Sequence, residues 1–399
     1  MKEKVPARLV LEDGAVFQGI SFGRPTSAAG EVVFSTGMTG YPQSLTDPSY
    51  RGQILVLTYP LVGNYGIPVH SSTGAAETDR HGIPLHFESG MVQVSGLVVS
   101  EACGRPSHYA SGASLSDWME ASGVPGLAGV DTRRLTMYIR ERGTPRGKIV
   151  VDKDIPFDAG VSDHPVAEVS PRSVQIFEAD SPGRGFRAPR IALVDCGAKA
   201  NLLRCLLARG ATVIRLPWDH DLSGIEYDGL LLSNGPGDPK ACARTIAAVR
   251  KALARGRPIF GICLGNQILA LAAGADTYKL PFGHRGQNQP CVEAGTDRCH
   301  ITSQNHGYAV KAETLPRGWT VWFSNANDGT VEGIRSEKGP FSAVQFHPEG
   351  SPGPRDCEYL LDDFIDQVRN LSGLRLREAP AVRPALSLVA EAAMPEAAS

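Results

Sequence analysis

The feature that most constrains the fold of this chain is a regular alternation of apolar strands and helices that begins at Arg190. A strand-like run at 191–194 is followed by leucines spaced on one helical face, and this helix ends at Gly210. Further strand-like runs, with helical segments between them, occur at 213–216, 229–232 and 259–262. Because parallel strands need long crossover connections, this rhythm predicts a mostly parallel, doubly wound α/β sheet with helices on both faces.

A sharp turn is predicted where the last of these strands meets a helix. Gly261-Ile-Cys-Leu-Gly265 joins the two, and glycines flanking a nucleophile at such a junction are typical of a nucleophile elbow. The elbow would present Cys263 at the carboxyl edge of the sheet, where a helix N-terminus favours a thiolate. The backbone NH of Leu264 would point at an oxyanion. Taken alone, the motif is equally compatible with a core cysteine between two packing glycines.

A second chemical signal follows a strand-like run at 341–346, which leads into His347-Pro348-Glu349. Pro348 disfavours a helical conformation at His347, so the segment stays extended. Alternation along an extended chain places His347 and Glu349 on one side, where the carboxylate can orient the imidazole. The tripeptide alone is an ordinary turn. Together with the elbow, it predicts a thiol nucleophile served by a histidine acid and base.

Two glycine-containing polar segments support a site near the elbow. Ser233-Asn-Gly-Pro-Gly-Asp-Pro239 follows an apolar strand, and its glycines allow a ligand to approach the backbone closely. Gln304-Asn-His-Gly-Tyr308 follows a short strand-like run and could offer polar groups to an amide substrate. Each segment has a structural alternative, which is a plain βα loop for the first and a hairpin turn for the second. His306 and His284 are interpreted as hydrogen-bonding residues rather than catalytic ones.

The rest of the chain divides at changes of composition. Residues 1–151 predict an N-terminal mixed β/α domain, with a hairpin at Asp13-Gly14 and helices at 115–121 and 132–142. Residues 152–189 are rich in Asp, Pro, Gly and Ser and predict a surface linker. Residues 190–373 form the α/β domain. Residues 374–399 are Ala- and Pro-rich without an apolar period, which predicts a disordered tail.

Composition limits the classes of partner and location. The 399 residues are 42% hydrophobic with a net charge of -2, which argues against nucleic acid or an anionic membrane as partner. Without a membrane-length apolar run or an apolar leader, the cytoplasm is the expected location. Eight cysteines occur without a Cys-x-x-Cys pair, so neither a disulfide framework nor a metal site is predicted. The sequence contains no recognisable nucleotide-binding loop.

The four chemical segments, in this order, resemble class I glutamine amidotransferases. A further set of motifs, most of them in the N-terminal half, resembles one family of them in particular, the small subunit of carbamoyl-phosphate synthase. The motifs that carry this resemblance are Leu11-Glu-Asp-Gly14, Gly30-Glu-Val-Val-Phe34, Met38-Thr-Gly-Tyr41, Leu45-Thr-Asp-Pro-Ser-Tyr50, Thr58-Tyr-Pro60, Gly63-Asn64, Asp131-Thr-Arg-Arg-Leu135, Phe282-Gly-His284 and Ser351-Pro-Gly-Pro354. The resemblance covers roughly residues 7–370, although 70–90 is extended and is expected to be a surface loop.

The resemblance implies a set of site residues. Its catalytic triad is Cys263, His347 and Glu349, with an oxyanion hole from the backbone NH groups of Gly235 and Leu264. The implied glutamine contacts are Ser49, Gly235, Gly237, Leu264, Gln267, Asn305, Gly307 and Tyr308. Asn266 and Gln289 depart from histidines common in the family, and residues 42–44 also differ from its usual pattern.

The resemblance also implies a reaction and a partner. Glutamine would be hydrolysed through a cysteinyl thioester, and its ammonia would pass to a large subunit that makes carbamoyl phosphate from bicarbonate for pyrimidine and arginine synthesis. No cofactor or metal is expected on this chain, whereas ATP and magnesium or potassium are expected on the large subunit. The alternatives are a stand-alone γ-glutamyl hydrolase, the glutaminase subunit of another synthase, and an inactive regulatory scaffold.

Overall fold

The computed structural model describes residues 5–69, 75–179 and 187–374. Over these ranges, the N-terminal part contains a closed barrel of strands in the order β1-β2-β8-β6-β4-β3-β9 and a small β5-β7 pair. Its strands are β1 (Pro6–Leu11), β2 (Val16–Gly23), β3 (Ala28–Ser35), β4 (Gln53–Leu57), β5 (Leu61–Val62), β6 (Gly96–Val98), β7 (Glu101–Ala102), β8 (Pro125–Ala128) and β9 (Arg146–Val150). Its helices are α1 (Tyr41–Thr46), α2 (Leu115–Ala121) and α3 (Thr132–Arg142).

Local signals in the barrel form the predicted elements. Strands β1 and β2 pair antiparallel across the Asp13-Gly14 turn, and Gly14 has a φ of 90°. The Asp131 side chain accepts a hydrogen bond from the Arg134 backbone NH at 2.9 Å, which caps the N-terminus of α3. The predicted hairpin and both predicted helices are therefore confirmed.

The second part of the chain is built around a ten-stranded sheet within the described ranges, here called the large sheet. Its strand order is β10-β12-β11-β13-β14-β19-β18-β16-β15-β17. The strands are β10 (Gln175–Phe177), β11 (Arg190–Asp195), β12 (Thr212–Pro217), β13 (Gly229–Leu232), β14 (Ile259–Ile262), β15 (Thr277–Glu293), β16 (Cys299–Val310), β17 (Trp319–Asn325), β18 (Val331–Ser336) and β19 (Phe341–Val344). The helices are α4 (Pro165–Val169), α5 (Ala200–Ala208), α6 (Ala243–Leu253), α7 (Leu264–Ala273) and α8 (Tyr359–Leu371).

Strands β12, β11, β13, β14 and β19 pair parallel and form the doubly wound half of the large sheet. Leu193 and Leu231 face a core shared with α5 and α8, whereas Val194 and Leu232 face a core shared with α6 and α7. Alternate residues of each strand are thus buried under opposite helix layers, as expected for a parallel sheet. The predicted α/β fold is confirmed here.

The other half of the large sheet is antiparallel and was not predicted in this form. Strands β15 and β16 make a long hairpin in which His284 lies opposite His306 and Arg285 opposite Asn305. The segment Gln304-Asn-His-Gly-Tyr308 therefore lies inside β16 and not in a hairpin turn. The sequence did not indicate a strand here because buried strands usually carry apolar side chains. In this segment the buried side chains are polar and pack against neighbouring chain segments.

Three connecting segments differ from expectation or lie outside the description. Between residues 152 and 189, α4 buries Val166 and β10 adds an antiparallel edge strand to β12, so this region is partly folded onto the large sheet. In the extended 70–90 stretch, residues 75–82 lie at the surface as predicted, whereas Ile83, Phe87 and Glu88 are buried, so the surface-loop prediction is confirmed only for the first part of the described residues there. The predicted disordered tail lies outside the described residues from 375 onward.

None of the helices within the described ranges is long and apolar enough to cross a membrane.

Candidate active site

Cys263 occupies a strained turn between β14 and α7. Its φ of 55° and ψ of -104° put a side-chain-bearing residue at positive φ, which is uncommon and costs conformational energy. The Cys263 backbone NH donates to the Val344 carbonyl at 2.8 Å, and this bond ties the turn to β19. The turn thus holds the thiol at the carboxyl end of the parallel strands and at the N-terminus of a helix.

Two glycines let neighbouring backbone segments approach the elbow. A Cβ atom on Gly265 would lie 2.2 Å from the Leu232 carbonyl oxygen, and one on Gly235 would lie 2.2 Å from the Cys196 carbonyl oxygen. Neither position can hold a side chain without displacement of backbone. Glycine is therefore needed at both positions for the elbow and the Ser233–Pro239 loop to sit side by side.

His347 and Glu349 follow β19 and lie beneath the elbow. The His347 Nδ1 and Glu349 Oε1 atoms are 2.7 Å apart, and both side chains are almost fully buried. Within the described chain, the opposite ring nitrogen of His347, Nε2, has no hydrogen-bond partner of good geometry. The carboxylate therefore fixes one nitrogen of the ring, and the other is left for exchange of a proton.

The electrostatics of this pair depend on a buried lysine. Burial alone would lower the pKa of His347, but the Glu349 carboxylate and the nearby Cys263 thiol outweigh it and raise the pKa to about 10. Burial would likewise raise the pKa of Glu349, but the Lys199 ammonium and the His347 imidazole lower it to about 2. The Lys199 Nζ atom lies 3.4 Å from Glu349 Oε1. An imidazolium at His347 and an ionised Glu349 are thus the favoured states.

Strand β16 forms the opposite wall of the site. The Cys263 Sγ atom lies 3.6 Å from the Asn305 carbonyl oxygen, to which the thiol can donate. The Gln267 side-chain amide donates to the Tyr308 carbonyl at 2.9 Å and so links α7 to the same strand. Sequence-distant residues of the parallel and antiparallel halves of the large sheet therefore meet at the thiol.

The N-terminal part of the chain also reaches this site. Asp47 accepts a hydrogen bond from the Ser49 backbone NH at 2.9 Å and another from the Asn305 side chain at 3.0 Å. The Ser49 hydroxyl accepts from the Asn234 side-chain amide at 2.9 Å. Because Asp47 and Ser49 are buried, these bonds join the two parts of the chain away from solvent.

These groups surround one cavity of about 100 Å³. It is lined by all the predicted glutamine contacts and the predicted nucleophile, namely Ser49, Gly235, Gly237, Cys263, Leu264, Gln267, Asn305, Gly307 and Tyr308. His347 and Glu349 are not among the lining residues and lie behind the thiol. The cavity can accommodate a small polar molecule with its reacting atom next to Cys263.

Two family models match the chain. That of the glutamine amidotransferase class-I family matches residues 192–367, and that of the carbamoyl-phosphate synthase small chain, CPSase domain, matches residues 9–149. The carbamoyl phosphate synthase arginine-specific small chain of Neosartorya fischeri is 45% identical over 372 residues, which are 91% of this chain and 80% of that protein. The chain belongs to the carbamoyl-phosphate synthase small chain family.

Two much longer proteins are also similar to this chain. The multifunctional protein pyr-3 of Neurospora crassa is 48% identical over 90% of this chain, and the multifunctional protein CAD of Squalus acanthias is 48% identical over 92%. This chain spans 21% of the length of the first and 16% of the second. The similarity therefore concerns one portion of each multifunctional protein.

The small-chain site also contains charged residues that sequence reasoning missed. Lys199 donates to the Gly350 carbonyl as well as facing Glu349, and Glu88, a second buried carboxylate, accepts from the Ser351 hydroxyl. Lys199 directly precedes α5, and the local sequence does not distinguish a buried lysine at this position from a solvent-exposed one. Lys199 is buried because its contacts, Gly350 and Glu349, come from a distant part of the sequence.

Arg285 is a further missed residue at the cavity. It is buried, it lines the cavity, and its Nη1 donates to the Phe282 carbonyl at 2.7 Å. Its Nε atom has no hydrogen-bond partner in the described part of the chain. The nearest sequence signal was the Phe282-Gly-His284 motif, which directly precedes it.

Proposed function

We propose that this chain hydrolyses glutamine to glutamate and ammonia, with Cys263 as the nucleophile. The observation that carries the proposal is a cysteine held at positive φ at a helix N-terminus, facing a small polar cavity and backed by the His347–Glu349 pair. A thiolate is the reactive form of cysteine, and both the helix N-terminus and an adjacent imidazolium favour it.

In the first half of the reaction, the Cys263 thiolate attacks the side-chain amide carbon of glutamine. A C–S bond forms, and the carbonyl oxygen becomes an oxyanion that the backbone NH groups of Gly235 and Leu264 would stabilise. His347 then gives its Nε2 proton to the leaving nitrogen, the C–N bond breaks, and ammonia departs. A γ-glutamyl thioester remains on Cys263.

In the second half, water attacks the thioester carbon while neutral His347 accepts a proton from it. The C–S bond breaks, glutamate leaves, and the thiolate and the imidazolium are restored. Glu349 keeps its charge throughout and orients the ring through Nδ1. Ser49, Gly237, Gln267, Asn305, Gly307 and Tyr308 would hold the substrate in the cavity.

We further propose that the ammonia passes to a large partner subunit that makes carbamoyl phosphate from bicarbonate. Family membership supports this, because small chains imply large ones. ATP and its magnesium or potassium ions would bind the partner, since this sequence has no nucleotide-binding loop. The carbamoyl phosphate would serve pyrimidine and arginine synthesis, with the cytoplasm as the proposed location.

The decisive experiment uses Cys263→Ser with Cys299→Ser, an exposed cysteine, as the matched control. In the complex with the large subunit, Cys263→Ser should lower glutamine-dependent synthesis by at least about 10³-fold, because the nucleophile is lost. Ammonia-dependent synthesis should be unchanged, and Cys299→Ser should behave as wild type. Equal loss of the glutamine-dependent and ammonia-dependent activities in Cys263→Ser would contradict the proposal that this chain releases ammonia and the large subunit uses it. Glutamine hydrolysis that no large subunit can use would favour a stand-alone hydrolase.

A further inference from the structure

A group of three ionisable side chains adjoins the cavity, which His306 also lines, on three neighbouring strands of the antiparallel half. His284 belongs to β15, His306 to β16 and Glu332 to β18, and the two histidines are directly opposite in the β15–β16 register. One ligand-type atom from each of the three lies within 4.8 Å of the others. The Glu332 side chain is fully buried and the His306 side chain nearly so. The proposed glutamine reaction does not use this group.

The facing atoms have the spacing of metal ligands. Glu332 Oε1 lies 3.3 Å from His284 Nδ1 and 3.6 Å from His306 Nε2. Zinc bonds of about 2.0–2.2 Å in a tetrahedron place neighbouring ligand atoms about 3.4 Å apart. The second carboxylate oxygen, Glu332 Oε2, is buried without any hydrogen-bond partner among the described residues. A buried carboxylate oxygen with no partner is costly, and a cation would remove that cost.

The other nitrogen of each ring is already held by an acceptor. His284 Nε2 lies 2.9 Å from an oxygen of Asp328, and His306 Nδ1 lies 2.9 Å from the Tyr308 carbonyl oxygen. Each of these nitrogens can therefore donate its proton outward. Metal-ligating histidines almost always have this arrangement, with a carboxylate or backbone carbonyl fixing the ring from outside.

The inner nitrogen of His306 faces only oxygen atoms that cannot donate to it, whereas His284 Nδ1 faces Glu332 and, at 3.5 Å, the Asn325 side-chain nitrogen. Besides Glu332, His306 Nε2 lies 3.2 Å from the Gln304 side-chain oxygen, whose amide group instead donates to Thr302 and Cys291. With both rings neutral, lone pairs on nitrogen would point at lone pairs on oxygen. A positive charge at the centre of the group, supplied either by extra protons or by a metal ion, would remove this repulsion.

We propose that His284 Nδ1, His306 Nε2 and Glu332 bind one divalent transition-metal ion, for which zinc is the best fit. Two imidazoles and one carboxylate are a donor set that zinc favours, with water completing a tetrahedron. Entry is from the side of Asp328, whose side chain is 43% exposed. Sequence reasoning predicted no metal site, because the ligands are spread over 48 residues and come together only through strand pairing.

Such an ion would join β15, β16 and β18 at the substrate wall, because His306 itself lines the cavity. Asn305 and Gly307, which line the cavity, flank His306 on β16. Binding of the ion would fix this strand at the edge of the cavity. The site is distinct from the cysteine centre, and it can be tested without measuring glutamine hydrolysis.

The test is a titration of the chelator-treated full chain with zinc, and with cobalt as an optical probe. Cys263→Ser is used as the background because a thiolate can also bind zinc. We expect one equivalent bound, a four-coordinate cobalt spectrum without a thiolate charge-transfer band, and a rise in Tm with added metal. His284→Asn and Glu332→Gln should each abolish binding. Asp328→Asn should weaken it by about 10–100-fold, as for the loss of an outer partner.

His300→Asn is the matched control, since His300 lies on β16 near Glu293 but outside the group. It should bind metal like the background protein. A thiolate band with cobalt, or equal affinity in His284→Asn and the control, would overturn the proposal. So would the absence of binding by the folded background protein, a result that does not depend on whether the variants fold.

Discussion

The parallel and antiparallel halves of the large sheet contribute to the same cavity in different ways. From the parallel half come Cys263 and His347, each presented just beyond the end of a short buried strand. From the antiparallel half come Asn305, Gly307 and Tyr308, which lie within the long strand β16. The reacting groups are therefore on turns, whereas one wall of the substrate pocket is continuous strand.

This difference shows that the turns of the parallel half supply the reactive groups, whereas strand β16 supplies groups that position the substrate. A turn can impose an unusual backbone conformation, as at Cys263, and the neighbouring sheet can bear the strain. A paired strand cannot be reshaped in this way, but it holds its polar groups at fixed spacing. We therefore expect changes in the parallel half to affect mainly kcat and changes in β16 to affect mainly KM.

The largest expected effect is in the parallel half. His347→Asn should lower glutaminase kcat by about 10²–10⁴-fold, because the side chain that transfers the proton is lost. The fold decrease in kcat caused by Glu349→Gln should be less than a tenth of that caused by His347→Asn, since the amide oxygen can still accept a hydrogen bond from Nδ1 of His347. Steady-state kinetics of the two variants at saturating glutamine give the comparison. If Glu349→Gln lowered kcat more than His347→Asn did, proton transfer could not be assigned to His347.

An intermediate effect is expected in the antiparallel half. Asn305→Ala removes the hydrogen bond to buried Asp47, and bonds to charged groups contribute about 1.5–3 kcal/mol. If that energy positions the pocket wall, KM for glutamine should rise by about 10–100-fold with little change in kcat. Asn327→Ala, on the same half but away from the cavity, is the control. A fall in kcat as large as that of His347→Asn would remove the distinction between the halves.

The smallest effect is a pH dependence of stability from the His347–Glu349 pair. The pKa of His347, about 10 when folded, is above its ordinary value, so this stabilisation is complete below about pH 6.5 and is lost as pH rises through 10. The pKa of Glu349, about 2 when folded, is below its ordinary value, so its stabilisation is complete above about pH 4.5 and is lost as pH falls through 2.

Both contributions are therefore complete only between about pH 4.5 and 6.5. The Tm difference between wild type and Glu349→Gln should be greatest in that window and should narrow at higher pH. The Tm difference should decrease by about 2–4 °C for each kcal/mol of stabilisation that the charged pair loses. Thermal unfolding of both proteins from pH 4 to 9 measures it. A difference that grows above pH 6.5 would contradict the charged state assigned to His347.

Sequence reasoning succeeded where the relevant physics is local. The elbow glycines permit a sharp turn, Pro348 and the cap at Asp131 restrict the backbone within a few residues, and helix and strand periods identify which faces are buried. The parallel half of the large sheet and helices α2 and α3 could be predicted for this reason. The positions of Cys263 and His347 at strand ends belong to the same class of inference.

Features that depend on contacts with residues far away in the sequence could not be predicted from local patterns. Strand β16 carries buried polar residues whose hydrogen-bond partners come from other strands and from the barrel, so its pattern does not alternate. Strand β10 is only three residues long and is recognisable only by its pairing with β12. Lys199 and Glu88 are buried as a charge-balanced set, and neither residue alone indicates burial.

The hydrogen bonds that join Ser49 to Asn234 and Asp47 to Asn305 bear on how such a chain can evolve. They connect residues 185 and 258 positions apart, across two parts whose apolar cores meet only at a few residues such as Ile83 and Phe282. Recombination that replaced the barrel with an unrelated domain would leave the α/β core intact but would remove Ser49 and Asp47 from the cavity. Selection on substrate affinity would then act against module exchange at this junction, so the two parts should be inherited together even within much longer fused proteins.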